Sequence, residues 1–319
     1  MLPGNRAAPG ALTAGGRPAA PRRRGRRHGN RPAGARPPAG VDTSRASIAR
    51  VHDASLGGKD NFEVDRRVLD SVLEVAPGLA KVSRRNRAWM RRVIRYLAGI
   101  VGVDQFLDAG AGLPAVGNTH EIARPANPWA RVVYLDNDPM CVAHGRVLLE
   151  TNEDTVYLPG DLTDPDVLAH DSAVWRYLDR ARPVAVILGS VLHHIEDAAD
   201  PAGIVAECVR ALSPGSFVAI THYWDPADGS PGHELAREVE RRFLEQGLGT
   251  GWYRSREEIV SYFDGLELVD PGVVPVDEWW PSGPARSPRT AEERLLLGGV
   301  GRKGARSALD GPAGLPRTG

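Results

Sequence analysis

The stretch "QFLDAGAGLPA", Gln105 to Ala115, reads as a short apolar strand that runs into a glycine-rich turn. A turn of this kind can hold a nucleotide-like cofactor, because glycines let the backbone approach the ligand closely. The dinucleotide fingerprint G-x-G-x-x-G/A is matched by Gly110, Gly112 and Ala115. Asp108 before the first glycine and Pro114 inside the turn fit that fingerprint less well. The stretch alone therefore predicts a cofactor turn and leaves the cofactor open.

Strand and helix signals alternate after this stretch. Four further strand candidates, "RVVYLD", "TVYLPGD", "PVAVILGS" and "SFVAITHY", are separated by helical patterns, one of them over "DPDVLAHDSAVWRYLD". This rhythm predicts a Rossmann-like α/β fold with a doubly wound, mostly parallel sheet. Two late strand candidates, "GLELVD" and "RLLLGGVG", have no helical pattern between them. We expect these two to pair as an antiparallel edge hairpin.

Composition divides the chain into four predicted parts. Residues 1–42 are rich in Arg, Gly and Pro and contain too few large apolar residues to fold alone, so we expect a disordered tail. Helical patterns within 43–101 precede the first strand and predict an N-terminal helical lid. The sheet domain is predicted over 102–304, with a helical insertion near 230–263. The end of the chain, 305–319, is expected to be flexible.

Charge is distributed unevenly along a chain whose formal net charge is zero. Residues 1–40 hold nine arginines and no Asp, Glu or Lys, which leaves 31 basic against 40 acidic residues, a net charge of −9, for the remainder. Nucleic-acid binding is therefore not expected outside the basic tail. No run of about 18 apolar residues occurs and no apolar segment follows the arginines, so we expect a cytoplasmic protein that does not cross a membrane. Cys141 and Cys208 fall on predicted helices and are expected to be buried thiols.

Polar residues follow four consecutive strand candidates at the point where each strand ends. They are Asp108 with Gly110 and Gly112, then Asp136-Asn137-Asp138, then Asp161-Leu162, and finally Ser190. Because ligands of open parallel sheets bind outside the carboxyl ends of the strands, these residues are expected to line one crevice.

The crevice suits an adenosine-like ligand without a pyrophosphate. An acid after the second strand can accept two ribose hydroxyls, and an acid after the third can accept a hydrogen bond from an adenine amino group. The sequence has no G-x-x-x-x-G-K-[ST] motif and no basic cluster at these strand ends to meet phosphates.

With these motifs the chain resembles the class I S-adenosylmethionine-dependent methyltransferases. Their D/E-x-G-x-G motif is matched by "DAGAG" from Asp108 to Gly112, and their two adenosine-binding acids are matched by Asp136 and Asp161. "SVLHHIED", beginning at Ser190, resembles the fourth-strand segment of the small-molecule members. The strings "LGGKDNF", "RRNRAWMRR", "FLDAGAGLP" and "YLDNDP" resemble one bacterial subfamily with unassigned substrate.

The resemblance implies S-adenosylmethionine as cofactor and a small molecule as methyl acceptor. It also implies that Asp108 lies near the cofactor's ammonium, directly or through water. The predicted cofactor site comprises Asp108, Gly110, Gly112, Asp136, Asn137, Asp161, Leu162 and Ser190, with Lys59 and Asn61 reaching over from the lid. Either of these lid residues could touch the cofactor's carboxylate, or both could simply be solvated neighbours of a helix cap.

Several basic residues have two interpretations each. Arg84, Arg85 and Arg87 could bind a carboxylate or form a solvated helix face. His193 could act as a catalytic base toward the acceptor, or it could pack under the cofactor. His222 is the second candidate base. No third ligand stands at a convincing spacing, so the histidines are not predicted to form a metal site.

Two other functions remain open on the sequence. An NAD(P)-dependent oxidoreductase would use the same glycine turn with Asp136 as ribose acid, although no Tyr-x-x-x-Lys pair is evident. A non-catalytic regulator would bind S-adenosylmethionine or its demethylated product and use the basic tail to contact nucleic acid. No DPPY- or NPPY-like motif follows the fourth strand, which disfavours methylation of DNA bases. The oligomeric state is not predicted.

Overall fold

The computed structural model describes residues 41–169, 171–245, 247–280 and 289–304. The first five strands follow one another in the order that the sequence predicts. In chain order, the elements are α1 Ile48–Leu56, α2 Glu63–Leu73, α3 Leu79–Tyr96, β1 Gln105–Ala109, α4 Thr119–Ala123, β2 Arg131–Asp136, α5 Pro139–Leu148, β3 Thr155–Pro159, β4 Ala185–Gly189, α6 Pro201–Ala211, β5 Phe217–Tyr223, α7 Pro231–Glu245, α8 Arg256–Ser261, β6 Glu267–Leu268, β7 Val274–Pro275, α9 Ala291–Arg294 and β8 Leu296–Arg302.

The strands form one sheet in the order β3-β2-β1-β4-β5-β8-β6, with β7 also paired to β8. Strands β1 to β5 are parallel to one another, and β8 runs antiparallel to β5, β6 and β7. The predicted mostly parallel Rossmann-like sheet with an antiparallel edge is therefore confirmed. The chain reverses its winding direction between β1 and β4, and such a switch point opens a crevice at the carboxyl ends of the strands.

Apolar layers cover both faces of the sheet. One contains Trp89 and Val93 of α3 against Phe106 and Val132, and the other packs Leu107 and Val186 with residues from α6. A third apolar cluster joins α1 and α2 to α7, which lies more than 150 residues further along the chain. The predicted lid helices and the predicted insertion thus pack together beside the crevice.

Two predicted details are wrong. The helix expected after β3 consists instead of two separate 3-10 turns, Pro165–Leu168 and Ala173–Arg176. Asp164 begins the first turn by accepting from the Asp166 amide, and polar side chains that cap locally compete with a continuous helix. The short helix α9 also lies between the two late strands, where no helix was expected. The predicted tail, except residues 41 and 42, and the predicted flexible end at 305–319 lie outside the described residues.

Candidate active site

A cavity of about 1060 Å³ opens at the carboxyl ends of β1 to β4, beneath α1 and α3. Pockets for a single small ligand commonly measure roughly 300–1,000 Å³, so this one has room for a cofactor and a second molecule. All of the predicted cofactor residues except Lys59 and Asn61 line it, and so does His193.

The turn after β1 carries a buried carboxylate. Asp108 is 5% exposed, and its Oδ2 accepts a 2.5 Å hydrogen bond from the Thr119 hydroxyl at the start of α4. Burial raises the pKa of Asp108 to about 6, although the Thr119 hydrogen bond and the charge of Arg87 act in the opposite direction. Gly110 and Gly112 have φ angles of 74° and 69°, which residues with a Cβ rarely adopt.

The carboxylate at the end of β2 organises this turn. Asp136 accepts from the Gly112 amide at 2.8 Å and from the Asp138 amide at 2.9 Å, one bond to each oxygen. Burial raises its pKa, against the lowering effect of these two bonds. The Cys141 thiol also hydrogen-bonds this carboxylate, which keeps acceptor capacity for a further donor.

A third carboxylate follows β3. Asn137 Nδ2 donates to Asp161 Oδ2 at 2.8 Å, and the Thr163 amide and hydroxyl donate to the other oxygen. Partial burial alone would raise the pKa of Asp161, but these hydrogen bonds lower it, so the group is ionised near neutral pH. We call Asp108, Asp136 and Asp161 the acidic end of the cavity.

Helix α1 crosses the cavity and is held at both of its ends. Its N-cap residue Ser47 donates to Asp138 Oδ2 at 2.6 Å, and Ser55 in its last turn donates to Ser83 of α3 at 2.9 Å. Arg50 and Asp65 form a buried ion pair that joins α1 to α2. We call α1 the roof of the cavity. It is hydrogen-bonded both to Asp138, beside the acidic end, and to α3.

The Gly-Gly-Lys-Asp-Asn segment holds a carboxylate in this roof. The Asp60 amide and Asn61 Nδ2 both donate to Asp53 Oδ2, at 2.9 and 2.7 Å. A Cβ on Gly58 would lie 1.9 Å from Asp53 Oδ1, which explains the glycine. Asp53 lines the cavity, whereas Asn61 is buried behind it and Lys59 is exposed outside. The structure thus does not place Lys59 or Asn61 where the sequence analysis expected them.

One of the three candidate arginines reaches the cavity. Arg87 lines it and donates to the Gly117 carbonyl at 2.9 Å, and its charge lowers the pKa of both Asp108 and His52. Arg85 instead pairs with Glu293, and Arg84 is exposed.

The opposite end of the cavity is formed by His52, His193 and His194 together with Tyr223 and Trp252, and we call it the histidine end. The ring centroids of His193 and His194 lie 4.1 Å apart, and Tyr223 meets His193 edge-on at 4.8 Å. Burial lowers the pKa of His52 to about 4 and that of His194 to about 3, and it holds the pKa of His193 well below its usual value. All three histidines are therefore neutral at pH 7.

His222 does not line the cavity. It is fully buried, its Nδ1 donates to the Tyr223 carbonyl at 2.7 Å, and its Nε2 accepts from Arg254 at 2.9 Å. Both ring nitrogens are therefore engaged within the protein, and this position does not support the predicted role of a base facing the acceptor.

Comparison with known proteins assigns the chain to a family. A family model described as S-adenosyl methyltransferase matches residues 34–304. The chain belongs to the S-adenosyl methyltransferase family. As a member, it is an S-adenosylmethionine-dependent methyltransferase, and S-adenosylmethionine is its cofactor. The resemblance inferred from the sequence is confirmed, and the oxidoreductase alternative is set aside.

Two crystal structures are similar to this methyltransferase over most of its length. A protein from Thermobifida fusca that carries a provisional methyltransferase name is 42% identical, with 84% of this chain and 99% of that chain covered and a TM-score of 0.78. A protein from Streptomyces avermitilis, of a family of unknown function, is 34% identical, with 82% and 99% covered and a TM-score of 0.76. No curated protein matches the chain.

Several residues that line the methyltransferase's cavity were not predicted from the sequence, among them His52, Asp53 and Asn86. A signal for Asn86 exists, because Ser83 and Asn86 interrupt the apolar face of α3 between Leu79 and Met90. Polar residues on the buried face of an amphipathic helix indicate either a hydrogen-bond network or a ligand. Within the described residues, no cluster of His, Cys, Asp and Glu could hold a metal ion, and no helix is long and apolar enough to span a membrane.

Proposed function

We propose that this methyltransferase transfers a methyl group to a small-molecule acceptor, with the cofactor at the acidic end and the acceptor at the histidine end. The observation that carries the proposal is the alignment of Asp108, Asp136 and Asp161 along one cavity that continues past them to the histidines. The location in the cytoplasm expected from the sequence stays a prediction.

The residues of the acidic end fit S-adenosylmethionine. Asp136 keeps acceptor capacity besides its bonds to the Gly112 and Asp138 amides and to Cys141, which suits ribose hydroxyls. Asp161 can accept from the adenine amino group. The charge of the Arg87 guanidinium lowers the pKa of the Asp108 carboxyl. These two groups suit the carboxylate and the ammonium of the methionine part, respectively. Gly110, Gly112, Asn137, Leu162 and Ser190 complete the proposed cofactor site.

The bound cofactor would supply an electrophilic methyl group. An acceptor lone pair would attack this methyl, and the sulfonium sulfur would leave as a neutral thioether. The protein's main task is then to hold the acceptor in line with the methyl group and to exclude water. Such positioning can by itself supply much of the rate acceleration. The roof formed by α1, with its bonds to Asp138 and Ser83, serves that purpose in this proposal.

His193 contributes by hydrogen bonding rather than by storing a proton. Its cationic form is disfavoured by burial and by the neighbouring His194, His222 and Arg254, so it would be a weak general base. We therefore expect an acceptor atom that is already nucleophilic, or one whose proton leaves to water. His222 has no part in the proposed chemistry.

Isothermal titration with S-adenosylmethionine, S-adenosylhomocysteine and NAD tests the cofactor assignment. We expect saturable binding of the two sulfur compounds and none of NAD, and the reverse pattern would overturn the proposal. A screen for transfer of labelled methyl groups to small molecules from extracts tests the acceptor. A protein that binds both sulfur compounds but labels only macromolecules, or nothing, would instead favour a macromolecular acceptor or the regulator considered above.

A further inference from the structure

Two buried polar side-chain atoms of residues on the cavity wall have no hydrogen-bond partner among the described residues. They are Oδ1 of Asn86 and Nδ1 of His193. The two residues are 3% and 4% exposed, and both line the cavity. A buried polar atom without a partner is costly, so such atoms commonly mark a place where a ligand or water completes the pairing.

The Asn86 side chain is held so that its carbonyl stays available. Its Nδ2 donates to the Ser190 hydroxyl at 2.8 Å, and Ser190 is in turn 3.2 Å from the Thr221 hydroxyl. Ser190 has a φ of 61° immediately after β4, an uncommon conformation for a residue with a side chain. Asn86 is thereby fixed at the end of the strand that follows the switch point.

The charged groups that act on His193 disfavour a cation at its ring, whereas the acids Asp53 and Glu196 line the same cavity. Arg87 is the next residue on α3 and lines the cavity, and Arg254 lies close enough to lower the pKa of His193. The three histidines of this end are neutral, and the walls beyond them include Tyr223, Trp252 and Phe243. A flat, largely apolar molecule with one polar group fits this lining.

We propose that Asn86 Oδ1 and His193 Nδ1 are the recognition pair for the methyl acceptor, and that the acceptor is an uncharged small ring compound with an N–H or O–H donor. The Asn86 carbonyl can only accept, so it selects for the donor, and the neutral imidazole nitrogen can donate or accept toward a neighbouring polar group. This inference rests on the proposed function, because it assumes that the acceptor occupies the histidine end.

Matched probe pairs bound to the protein saturated with S-adenosylhomocysteine test the proposal by ligand-observed NMR titration. Indole and phenol carry a donor, whereas N-methylindole and anisole do not. We expect each donor-bearing compound to bind about tenfold more tightly than its methylated partner, the effect of one satisfied buried hydrogen bond. Benzyl alcohol should likewise bind more tightly than benzylammonium.

The variant Asn86→Leu should reduce the donor preference to near one, and Asn86→Ala is the alternative if leucine does not fit. Ser83→Ala is the matched control, because Ser83 lies one turn away on the same face of α3 but already bonds Ser55. A wild-type preference near one, a preference that survives in the Asn86 variant, tighter binding of benzylammonium, or no binding of any ring compound would each overturn the inference. Failure of the proposed function would look different, because the wild-type protein would then not bind S-adenosylhomocysteine.

Discussion

The acidic end and the histidine end of the same cavity differ in electrostatics: one presents carboxylates and the other presents neutral imidazoles. At the acidic end, hydrogen bonds from Thr119, Gly112 and Asn137 keep carboxylates available despite burial. At the histidine end, burial leaves the imidazoles neutral and one nitrogen without a partner. The difference teaches that a buried site can present either charge or unpaired polar atoms, depending on how many hydrogen-bond donors surround the buried group.

The largest effect that this comparison predicts is at the acidic end. Asp136→Ala should weaken S-adenosylmethionine binding about 100-fold, because charge-assisted hydrogen bonds contribute roughly 1.5–3 kcal/mol each and two ribose hydroxyls lose their acceptor. Titration calorimetry measures the change. Asp154→Ala is the matched control, since Asp154 is an exposed carboxylate just before β3 that pairs with Arg131. A dissociation constant within about threefold of wild type would remove Asp136 from the site.

Arg87 lies between the two ends and should show the next largest effect. Arg87→Gln is expected to weaken S-adenosylmethionine binding about thirtyfold, because the cofactor's carboxylate loses a charged partner worth roughly 2 kcal/mol. The exposed Arg84→Gln serves as the control on the same helix. Equal effects of the two substitutions would show that Arg87 acts only through the overall charge of α3.

The pH dependence of binding distinguishes the two ends directly. The pKa of Asp108 in the free protein is about 6, and the cofactor's ammonium favours its ionised form, so affinity should fall as the pH drops through 6. At pH 5 about one tenth of the carboxylate is ionised, and we expect about tenfold weaker binding than at pH 7.5. The Asp108→Asn variant should bind weakly and with little change over this range.

The histidines of the histidine end should cause no pH dependence of ligand affinity between pH 5 and pH 8. The pKa values of His52 and His194 are lowered to about 4 and about 3, so both remain neutral from pH 8 down to pH 5. Binding of indole to the protein saturated with S-adenosylhomocysteine should accordingly stay constant over this range. Titrations at each pH check this, and a midpoint near 6.5 in the indole affinity would show that an imidazole gains a proton there.

The smallest effect is expected at Lys59. Lys59→Ala should change S-adenosylmethionine affinity by less than about twofold, because an exposed ammonium outside the cavity contributes little through solvent. Calorimetry under the same conditions as for Arg87→Gln gives the comparison. A tenfold loss would mean that the Gly-Gly-Lys-Asp-Asn segment closes over the cofactor and brings Lys59 with it.

The cofactor turn could be predicted because its information is local. Each strand lies within a few residues of the glycines or the acid that follow it, and parallel strands bring their carboxyl ends to one edge. The roof could not be predicted to the same degree. The position of Asp53 depends on its contacts with Gly58 and Asn61, which its own sequence neighbours do not reveal. Asn86 bonds Ser190, which lies 104 residues further along the chain. His222 and His193 look alike in the sequence, yet only His193 lines the cavity.

By itself, the sequence determined the alternating α/β order, the glycine turn and the acids that follow the strands, because periodicity and turn chemistry act over short distances. Only the tertiary structure decided which polar side chains find partners. Asp108, Asp53 and His222 each bond a neighbouring group, whereas Asn86 Oδ1 and His193 Nδ1 are left unpaired beside the cavity. That outcome depends on how α1, α3 and the turn after β4 pack against one another, and hydrogen-bond satisfaction is a property of that packing rather than of any local stretch.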